Sequence, residues 1–549
     1  MRAMLKRPFS PWQLSLAGSL WLAFPANWAL WERLGTMDAV RGLGGLVFGL
    51  GFALAIAAVT LALLSLLGWS RLLKPVLILL LLSAALGAHF MLAYGIVIDT
   101  SMLTNVLQTD VREAGDLLNL RMLFTVGVLG VLPAWWVWRV PLHRHPLRRQ
   151  ALHNLLALVA SVVVLLGFIA ASFQTLAPLM RNHKEVRYLI NPLNSLYALG
   201  SAAAGERAQR VTPLQPLAED ARLGDRFAAH KPPLLMLVVG ETARAANFSL
   251  NGYARDTNPR LGAMPDVVSW RQVRSCGTST AASLPCMFSH LGREEFVDSK
   301  QRFENLLDVL QRAGLAVLWL DNQSGCKGLC DRIPNVGMAE LARAAGCSGD
   351  ACMDEVMLRG LDERIAALDP QRRSRGVVVV LHQMGSHGPA YSKRSAPARK
   401  AFLPECTTTH LQDCRNDELI NAYDNSLRET DHLLAEAIGW LRARASSHST
   451  ALLYVSDHGE SLGEKNVYLH GLPYAIAPIE QKHVPMVAWL SPAMQAASRV
   501  SSSCLQGERE RALSHDHLFH SVLGLMDVRT GVYRPALDFW AACAGAAAR

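Results

Sequence analysis

Residues 451–460 read ALLYVSDHGE, an apolar run that turns polar at its end. A short apolar run without polar alternation is typical of a parallel strand that is buried on both faces. Open α/β sheets bind ligands beyond the carboxyl ends of their strands, which is where Asp457, His458 and Glu460 fall in this sequence. Because aspartate and glycine are also ordinary turn residues, one such run alone is weak evidence for a site.

Three more apolar runs in the second half of the chain end in polar residues. They are LLMLVVG (234–240) before Glu241 and Thr242, LAVLWL (315–320) before Asp321, and GVVVVL (376–381) before His382. Helix-like segments separate the runs, so residues 231–549 are predicted to form an α/β domain with a mostly parallel sheet sandwiched by helices. Strands that end in glutamate, aspartate and histidine predict a shared polar site at one edge of that sheet.

The acids and the imidazole after these runs are suitable metal ligands. Glu241, Asp457 and His458 supply oxygen and nitrogen atoms, a mixture that suits zinc and, less well, manganese. Three protein ligands leave an open coordination position, as in catalytic zinc sites. A hydroxyl group is a candidate for the fourth ligand.

A loop of small residues at 275–289, SCGTSTAASLPCMFS, offers that hydroxyl. Its candidates lie between Cys276 and Cys286 and are Thr278, Ser279 and Thr280. Serine and threonine are weak nucleophiles until a base or a metal activates them, and a disulfide between the two cysteines would hold the hydroxyl in place for attack. The alternative interpretation is that the three residues cap a helix that begins near Ala281, and the two roles are compatible.

The first half of the chain is apolar enough to lie in a membrane. The protein has 549 residues, of which 51% are hydrophobic and 18% charged. Five long apolar stretches occur before residue 177, at about 14–34, 43–68, 72–98, 120–138 and 152–176. Each approaches the roughly 20 residues that cross a bilayer as a helix, so residues 1–176 are predicted to form a transmembrane domain of five helical spans.

Charges in the loops predict the orientation of these spans. Three segments are basic and carry no acid: Arg2, Lys6 and Arg7, then Arg71 and Lys74, then Arg139, Arg144, Arg148 and Arg149. The loop between the third and fourth stretches is acidic, with Asp99, Asp110, Glu113 and Asp116 against Arg112. The positive-inside rule therefore puts the N-terminus in the cytoplasm and, after five spans, the C-terminal domain outside.

The cysteines point to the same compartment. All ten lie at position 276 or beyond, and an even number confined to the translocated part indicates disulfides in an oxidising environment. Local spacing suggests Cys276–Cys286, Cys326–Cys330, Cys347–Cys352 and Cys406–Cys414, with Cys504–Cys543 left by elimination. Structural zinc is the alternative, and the lack of a C-x2-C pair argues against it.

Residues 177–230 are predicted to connect the two domains. Short amphipathic helices on the membrane surface and a solvated linker are equally good interpretations of this segment. The net charge of +9 partly reflects the basic inside loops, and the sequence contains no recognisable nucleic-acid-binding module.

Four motifs together resemble the lipid A phosphoethanolamine transferases, a family of the alkaline phosphatase/sulfatase-like superfamily. They are GETAR, CGTSTAASLPCMFS, LHQMGSHGPAY and YVSDHGESLGE followed by YLHGLP, and the resemblance extends over nearly the whole chain. It implies that the nucleophile is Thr280 and that the zinc ligands are Glu241, Thr280, Asp457 and His458. It also implies substrate-side or second-metal residues, namely His387, His470 and Lys327.

Two residues near these motifs receive no firm role, and some histidines have a structural interpretation. His382 lies beside the site in its motif, and Gln323 stands where some relatives have asparagine. Outside the motif set, a histidine such as His387 or His470 would more often be structural. For Lys327, which lies between Cys326 and Cys330, a solvated lysine is the alternative interpretation. SHDHLFHSVLGLMDV at 514–528 is predicted to be a packed helix near the C-terminus, without catalytic histidines.

The resemblance implies a transfer reaction between two lipids. Phosphoethanolamine would pass from phosphatidylethanolamine to a phosphate of lipid A through a covalent Thr280 intermediate, with release of diacylglycerol and polymyxin resistance as the consequence. The expected protein is a monomer that spans the bacterial inner membrane several times and holds its catalytic domain in the periplasm. One tight zinc site is expected, and a second, weaker one is the alternative.

Three other functions are weighed against this one. The nearest is the same transfer onto an inner-core sugar, a glycan or a protein. A sulfatase or glycerol-phosphate transferase is disfavoured, because sulfatases usually carry a modified cysteine or serine as the nucleophile. A non-enzymatic, membrane-anchored metal-binding or sensing protein is the least favoured, since all four expected metal ligands are present.

Overall fold

The computed structural model describes residues 8–37, 40–67, 69, 71–108, 115, 117–143, 145–347 and 352–544. Several residues used to predict orientation lie outside these ranges, namely Arg2, Lys6, Arg7, Asp110, Arg112, Glu113, Asp116 and Arg144. The chain divides into two compact units, one of Met1–Leu103 with Leu118–Ala204 and the other of Thr104–Leu117 with Gly205–Arg549. The domain boundaries expected at residues 176 and 230 stay predictions.

The N-terminal part of the chain is helical. Its helices are α1 (Pro11–Ala23), α2 (Trp28–Gly35), α3 (Gly42–Leu67), α4 (Leu73–Tyr94), α5 (Thr100–Gln108), α6 (Leu120–Arg139), α7 (Leu147–Asn182), α8 (Lys184–Tyr188) and α9 (Leu193–Val211). Within the described residues, four helices are long and apolar enough to cross a membrane, namely α3, α4, α6 and α7. Helix α7 exposes large apolar side chains such as Leu155, Val163 and Phe173, which is typical of a lipid-facing helix.

The first apolar stretch is not one continuous helix, so the predicted count of five spans is not confirmed. Helix α1 ends at Ala23, a 3-10 turn follows at Pro25–Asn27, and α2 begins at Trp28. Pro25 has no N–H to continue the helical hydrogen bonds, and its ring obstructs the preceding turn. The 13 residues of α1 span about 20 Å, which is shorter than the hydrocarbon core of a bilayer.

The C-terminal part is built around an eight-stranded sheet. Its strands are β1 (Pro233–Gly240), β2 (Val267–Arg274), β3 (Ala316–Asp321), β4 (Asn335–Val336), β5 (Val377–His382), β6 (Ser449–Ser456), β7 (His483–Leu490) and β8 (Ala512–Ser514). Their order across the sheet is β8-β2-β7-β6-β1-β5-β3-β4. Three short two-stranded ladders accompany it, at Leu214–Gln215 with Arg302–Phe303, Arg222–Leu223 with Val528–Arg529, and Ser461–Leu462 with Tyr468–Leu469.

The sheet is parallel except at β7, which runs antiparallel to both of its neighbours, β2 and β6. The reason lies in the connection from β6 to β7, residues 457–482, which begins and ends at the carboxyl edge of β6. A strand that starts at the edge where its neighbour ends must run back along it. The same connection carries several of the predicted site residues, so they all stay at that edge.

Helices cover both faces of the sheet. Along β1, Leu235, Leu237 and Val239 pack into one core, while Leu234 and Val238 pack into another on the opposite face. The remaining helices are α10 (Pro259–Gly262), α11 (Thr280–Met287), α12 (Arg293–Asp298), α13 (Leu306–Arg312), α14 (Met338–Ala345), α15 (Leu361–Ala366), α16 (Pro370–Arg375), α17 (Asn416–Ala443), α18 (Pro492–Ser498), α19 (Ser502–Gly507) and α20 (Asp516–Leu525). Residues of α11, α13, α18 and α20 line the first core, and residues of α14, α15 and α17 line the second.

All ten cysteines are paired. The disulfides are Cys276–Cys286, Cys326–Cys330, Cys347–Cys352, Cys406–Cys414 and Cys504–Cys543. Four of them close short loops, and Cys504–Cys543 joins positions that are 39 residues apart. No cysteine is therefore available as a metal ligand.

Candidate active site

Two buried carboxylates meet where β1 and β6 end. The parallel register pairs Gly240 with Ser456, so the next residue of each strand, Glu241 and Asp457, emerges at the same level. The backbone N–H of Asp457 donates to the carbonyl oxygen of Gly240 at 2.9 Å, which extends the ladder by one bond. Both acids are almost fully buried. Burial of two adjacent carboxylates is costly unless a cation or hydrogen-bond donors accompany them.

Thr280 brings a hydroxyl group to this pair. It is the first residue of α11, and Ser279 precedes the helix in an extended conformation. Its Oγ1 donates to Glu241 Oε2 at 2.9 Å and lies 3.4 Å from His458 Nε2. By contrast, Thr278 Oγ1 donates to the carbonyl oxygen of Leu472 at 2.6 Å. The geometry thus separates Thr280 from the neighbouring hydroxyl that the sequence could not distinguish from it.

His458 completes a group of atoms suited to a metal ion. Its Nε2 lies 3.3 Å from Glu241 Oε1 and 3.4 Å from Asp457 Oδ2. Its Nδ1 lies 2.9 Å from the carbonyl oxygen of Gly459, which accepts the ring proton and leaves the Nε2 lone pair for a metal. One ligand atom from each of the three side chains lies within 4.8 Å of the others.

The surroundings of one carboxylate oxygen indicate whether a metal ion fits this group. Asp457 Oδ2 is buried and has no hydrogen-bond partner within the described part of the chain. Buried carboxylate oxygens are rarely left without a donor, so this atom calls for a cation. The two carboxylates, the imidazole and the Thr280 hydroxyl form the oxygen and nitrogen set that zinc accepts.

The charges of the group are strongly coupled. Burial raises the pKa of Asp457 to about 6, and the nearby charge of Glu241 acts in the same direction. Burial opposes protonation of His458, but the negative charges of Asp457 and Glu241 raise the pKa of its imidazole to about 10. Burial also opposes ionisation of Glu241, yet contact with His458 holds the pKa of that carboxyl well below its usual range. The site therefore holds net negative charge that a positive ion offsets.

The two further histidines predicted for the site also lie close to Glu241. His387, His470 and Glu241 place one ligand atom each within 4.8 Å of the others, in a second group suited to a metal ion. The ring centres of His387 and His470 are 5.6 Å apart, and those of His470 and His458 are 4.3 Å apart. His470 Nδ1 lies 3.2 Å from Glu460 Oε1, and a carboxylate in this position fixes the orientation of the ring.

Lys327 does not enter either group of candidate ligands. Its Nζ donates to the hydroxyl of Ser324 at 3.0 Å and to the carbonyl oxygen of the same residue at 3.3 Å. Gln323, which received no role from the sequence, lies closer to the carboxylates. Its Nε2 donates to Glu241 Oε2 at 3.3 Å, the same oxygen that accepts from Thr280. The loop after β3 thus reaches the site through Gln323.

His382 is buried beside the site rather than in it. Its Nδ1 lies 2.9 Å from Asp321 Oδ2, which also accepts from Trp319 Nε1 at 2.9 Å. Its Nε2 is buried without a partner among the described residues. Burial opposes protonation, but the negative charge of Asp321 raises the pKa of the imidazole, with smaller contributions from Glu241 and Asp457.

Two residues that the sequence did not single out hold the site in shape. Asp354 is buried and accepts backbone hydrogen bonds from Met384 and Gly385 at 2.8 and 2.9 Å, which fixes the loop that carries His387. At Gly385, with φ of +52°, a Cβ atom would lie 2.7 Å from the carbonyl oxygen of Glu241, so the close approach requires glycine. No motif surrounds Asp354 that could have revealed this role.

His515, the second of these residues, precedes α20 in the segment predicted to be a packed helix. The backbone N–H of Cys276 donates to His515 Nδ1 at 3.0 Å, and His515 Nε2 donates to the carbonyl oxygen of Ser456 at 2.9 Å. The imidazole thereby joins the start of the nucleophile loop to the end of the strand that precedes Asp457. It contacts no candidate ligand directly and acts on their position.

Two family models match the chain. The model described as "Sulfatase" matches residues 233–528, and the model described as "Phosphoethanolamine transferase EptA/EptB" matches residues 56–206. The first covers the sheet and every candidate site residue, and the second covers much of the helical N-terminal part.

Individual relatives are similar over most of their length. Phosphoethanolamine transferase EptA of Escherichia coli K12 is 42% identical over 86% of this chain and 85% of its own. Phosphatidylethanolamine transferase Mcr-1 of Escherichia coli is 38% identical over 95% of this chain and 96% of its own. The solved structure of the integral membrane protein lipooligosaccharide phosphoethanolamine transferase A (EptA) from Neisseria meningitidis superposes with a TM-score of 0.91. It covers 97% of this chain and 98% of that one, at 35% identity.

Proposed function

The chain belongs to the EptA-type phosphoethanolamine transferases, and we propose that Thr280 takes phosphoethanolamine from phosphatidylethanolamine and passes it to a phosphate of lipid A. One observation carries the assignment of the nucleophile. The Thr280 hydroxyl donates to Glu241 at 2.9 Å and lies beside His458 at the start of a helix, whereas Thr278 is bonded elsewhere.

In the first half-reaction, one bond forms and one bond breaks. Thr280 Oγ1 attacks the phosphorus, a new Oγ1–P bond forms, and the bond from phosphorus to the glycerol oxygen breaks. Diacylglycerol leaves with a proton on that oxygen, which balances the proton that the Thr280 hydroxyl gives up. The hydrogen bond to Glu241 directs the hydroxyl proton toward the carboxylate, so a lone pair of Oγ1 is available for the attack.

The second half-reaction returns the enzyme to its starting state. An oxygen of the acceptor phosphate attacks the same phosphorus, the Oγ1–P bond breaks, and Thr280 recovers its hydroxyl. Because Thr280 begins α11, the backbone N–H groups at the start of the helix would stabilise the negative charge of the phosphoryl oxygens. The same residues thus serve both steps of a ping-pong reaction.

We assign a zinc ion to four residues, which are Glu241, Thr280, Asp457 and His458. When bound, zinc supplies a Lewis acid that stabilises the deprotonated hydroxyl of the nucleophile. We assign His387 and His470 to a second, weaker metal site or to the substrate phosphate. Lys327 and Gln323 line the approach from the loop after β3, where a cation and an amide suit a phosphoryl group.

The membrane part sets where the reaction occurs. We infer that α1 and α2 cross the bilayer together as one broken span, so that five crossings place the C-terminal domain in the periplasm. Five disulfides in that domain support an oxidising compartment. Modification of lipid A at this membrane would reduce its negative charge and with it the binding of cationic polymyxins. A periplasm-specific reporter should be active after residue 180 and silent near residue 144, and the reverse result would contradict the orientation.

Two relatives bear on the identity of the acceptor. The Neisseria meningitidis structure is described as a lipooligosaccharide phosphoethanolamine transferase, at 35% identity. A protein of Salmonella typhimurium described as a Kdo(2)-lipid A phosphoethanolamine 7''-transferase is only 26% identical. The higher similarity to the first protein favours a lipooligosaccharide acceptor, and a phosphate on its lipid A part is our proposal.

Intact-mass analysis of the purified protein tests the proposal. After incubation with phosphatidylethanolamine, the wild type should gain the mass of one phosphoethanolamine group, and peptide mapping should locate it on Thr280. Thr280→Ala should gain nothing, while Thr278→Ala should still form the adduct. An adduct on Thr280→Ala would refute the nucleophile, and transfer from the wild type to a sugar hydroxyl rather than a phosphate would refute the acceptor.

A further inference from the structure

A cavity opens beside the nucleophile loop. Its volume is about 480 Å³, and its lining includes Arg274, Ser275, Arg293 and Tyr474. Ser275 belongs to the loop that leads to Thr280, and Tyr474 belongs to the loop that carries His470. The two walls are tied together, because the Tyr474 hydroxyl donates to the carbonyl oxygen of Ser275 at 3.1 Å.

Two cations lie over the ring of Tyr474, and a third, Arg274, lines the same cavity. The guanidinium carbon of Arg293 lies 3.6 Å from the ring centre, and Lys482 Nζ lies 5.1 Å from it. Burial lowers the pKa of Lys482, and the positive charges of Arg274 and Arg293 act in the same direction. The three positive charges are therefore close enough to repel one another.

Three acids also line the cavity, namely Glu294, Glu295 and Asp516, and the charge of Glu480 acts on Lys482. Asp516 Oδ1 accepts from the backbone N–H of Arg293 at 2.9 Å, and Glu295 is paired with Arg534 at 3.4 Å. Arg293 Nε and Lys482 Nζ donate to carbonyl oxygens, at 2.9 and 3.2 Å. Across the described ranges of the chain, none of the three cations forms a salt bridge with a carboxylate. A bound anion would offset their mutual repulsion.

We propose that Arg274, Arg293 and Lys482 form a second phosphate-binding subsite, which holds a phosphate monoester of the acceptor other than the one that receives phosphoethanolamine. The proposal rests on the function assigned above. Phosphatidylethanolamine has a single phosphate, and that phosphate must lie at Thr280 to react. We therefore assign a second phosphate bound at the same edge of the domain to the acceptor. Arginine is the side chain best suited to it, because the guanidinium group donates two parallel hydrogen bonds to phosphate oxygens.

The subsite lies within reach of the nucleophile. Ser275 and Thr280 are five residues apart, which limits their separation to roughly 18 Å even along a fully extended chain. The loops are also joined near their centres, because the backbone N–H of Gly471 donates to the carbonyl oxygen of Thr278 at 2.7 Å. One acceptor molecule with two phosphates can thus contact both places.

Arg274→Ala is the variant that tests the subsite. The Arg274 side chain is exposed and lies outside the groups assigned to metal binding and catalysis, so its removal should leave the fold intact. Arg415→Ala is the control, because it removes another exposed arginine, which precedes α17 and lies outside the cavity. Full-length protein is assayed with two acceptors, one lipid A with two phosphates and one that lacks the non-reacting phosphate.

With the acceptor that carries two phosphates, Arg274→Ala should raise KM about tenfold, the loss expected for one charge-assisted hydrogen bond to phosphate. With the acceptor that carries one, the change should stay below about twofold, and Arg415→Ala should change neither value. Adduct formation from phosphatidylethanolamine alone should be the same in all three proteins. Equal losses with both acceptors, or no loss with either, would overturn the subsite.

A binding measurement separates failure of this inference from failure of the assigned function. Inorganic pyrophosphate is titrated into the full-length protein by calorimetry, without any donor lipid. Weaker binding by Arg274→Ala than by the wild type and Arg415→Ala supports the subsite. Equal binding by all three proteins overturns it, whatever the reaction proves to be. A wild type that forms no adduct contradicts the assigned function alone.

Discussion

His515 should make the stability of the catalytic domain depend on pH in a predictable way. The Cys276 N–H donates to its Nδ1 and its Nε2 donates to the Ser456 carbonyl, so the ring is held as a neutral imidazole. Burial lowers the pKa of His515 to about 4, although the Ser456 carbonyl and the charge of Asp516 oppose the shift. Protonation would turn Nδ1 from an acceptor into a donor that faces another donor.

The size of the effect follows from the two pKa values. The unfolded chain has the ordinary histidine pKa of about 6.5 and binds a proton more readily than the folded one, so acid favours unfolding. The contribution of His515 is complete above pH 6.5 and is lost as the pH falls toward 4. Between pH 7.5 and pH 5 the loss amounts to about 2 kcal/mol.

His515→Gln removes the titration but keeps a donor for the Ser456 carbonyl. At pH 7.5 the variant should be less stable than the wild type by about 1–3 kcal/mol, because the Cys276 N–H loses its acceptor in a buried place. At pH 5 the gap should narrow by about 2 kcal/mol, because only in the wild type does the unfolded chain gain a proton at position 515 that the folded chain does not bind. Urea unfolding in detergent measures both gaps through the fluorescence of buried Trp270 and Trp319.

The wild type and His515→Gln share every other titrating group. The effect of those groups on stability therefore cancels when the two proteins are compared at both pH values. His230→Gln is the control, because this histidine is exposed and its variant should match the wild type at both values. A gap between wild type and His515→Gln that stays constant from pH 7.5 to pH 5, or that widens, would refute the assignment of His515 as a buried neutral bridge.

Three further outcomes are expected. Asp457→Asn should lose most of its bound zinc in elemental analysis while it still inserts into membranes, and full zinc content would place the metal elsewhere. Replacement of both Cys276 and Cys286 by serine should slow adduct formation about tenfold or more, because Thr280 would be held less firmly. Timed intact-mass analysis measures the rate, and an unchanged rate would show that the disulfide does not position the nucleophile. Gln323→Leu should slow the same step about fivefold, since its hydrogen bond to Glu241 is worth about 1 kcal/mol, and Gln323→Asn should lose less if the amide is what matters.

Much of the architecture could be predicted because it follows from local patterns. Apolar runs without alternation mark buried parallel strands, and their polar endings mark the ligand edge of the sheet. The structure departs from the prediction in the continuity of the first helix and in the direction of one strand. Hydropathy is averaged over a window of residues, so the single residue Pro25 does not interrupt the predicted span. Its missing N–H nevertheless ends α1. The reversed direction of β7 depends on where its connection returns, which a run of apolar residues does not encode.

The sequence by itself determined which residue types are available: an acid after β1, an acid and an imidazole after β6, and three hydroxyls between two cysteines. Tertiary structure decided among them. Thr280, and not Thr278, contacts Glu241, because the turn into α11 directs one hydroxyl to the carboxylates and the other to the Leu472 carbonyl. The roles of Asp354 and His515 also could not be predicted from the sequence. Each acts through hydrogen bonds to backbone groups that are distant in sequence. Almost every residue carries such groups, so only the fold determines which of them a side chain can reach.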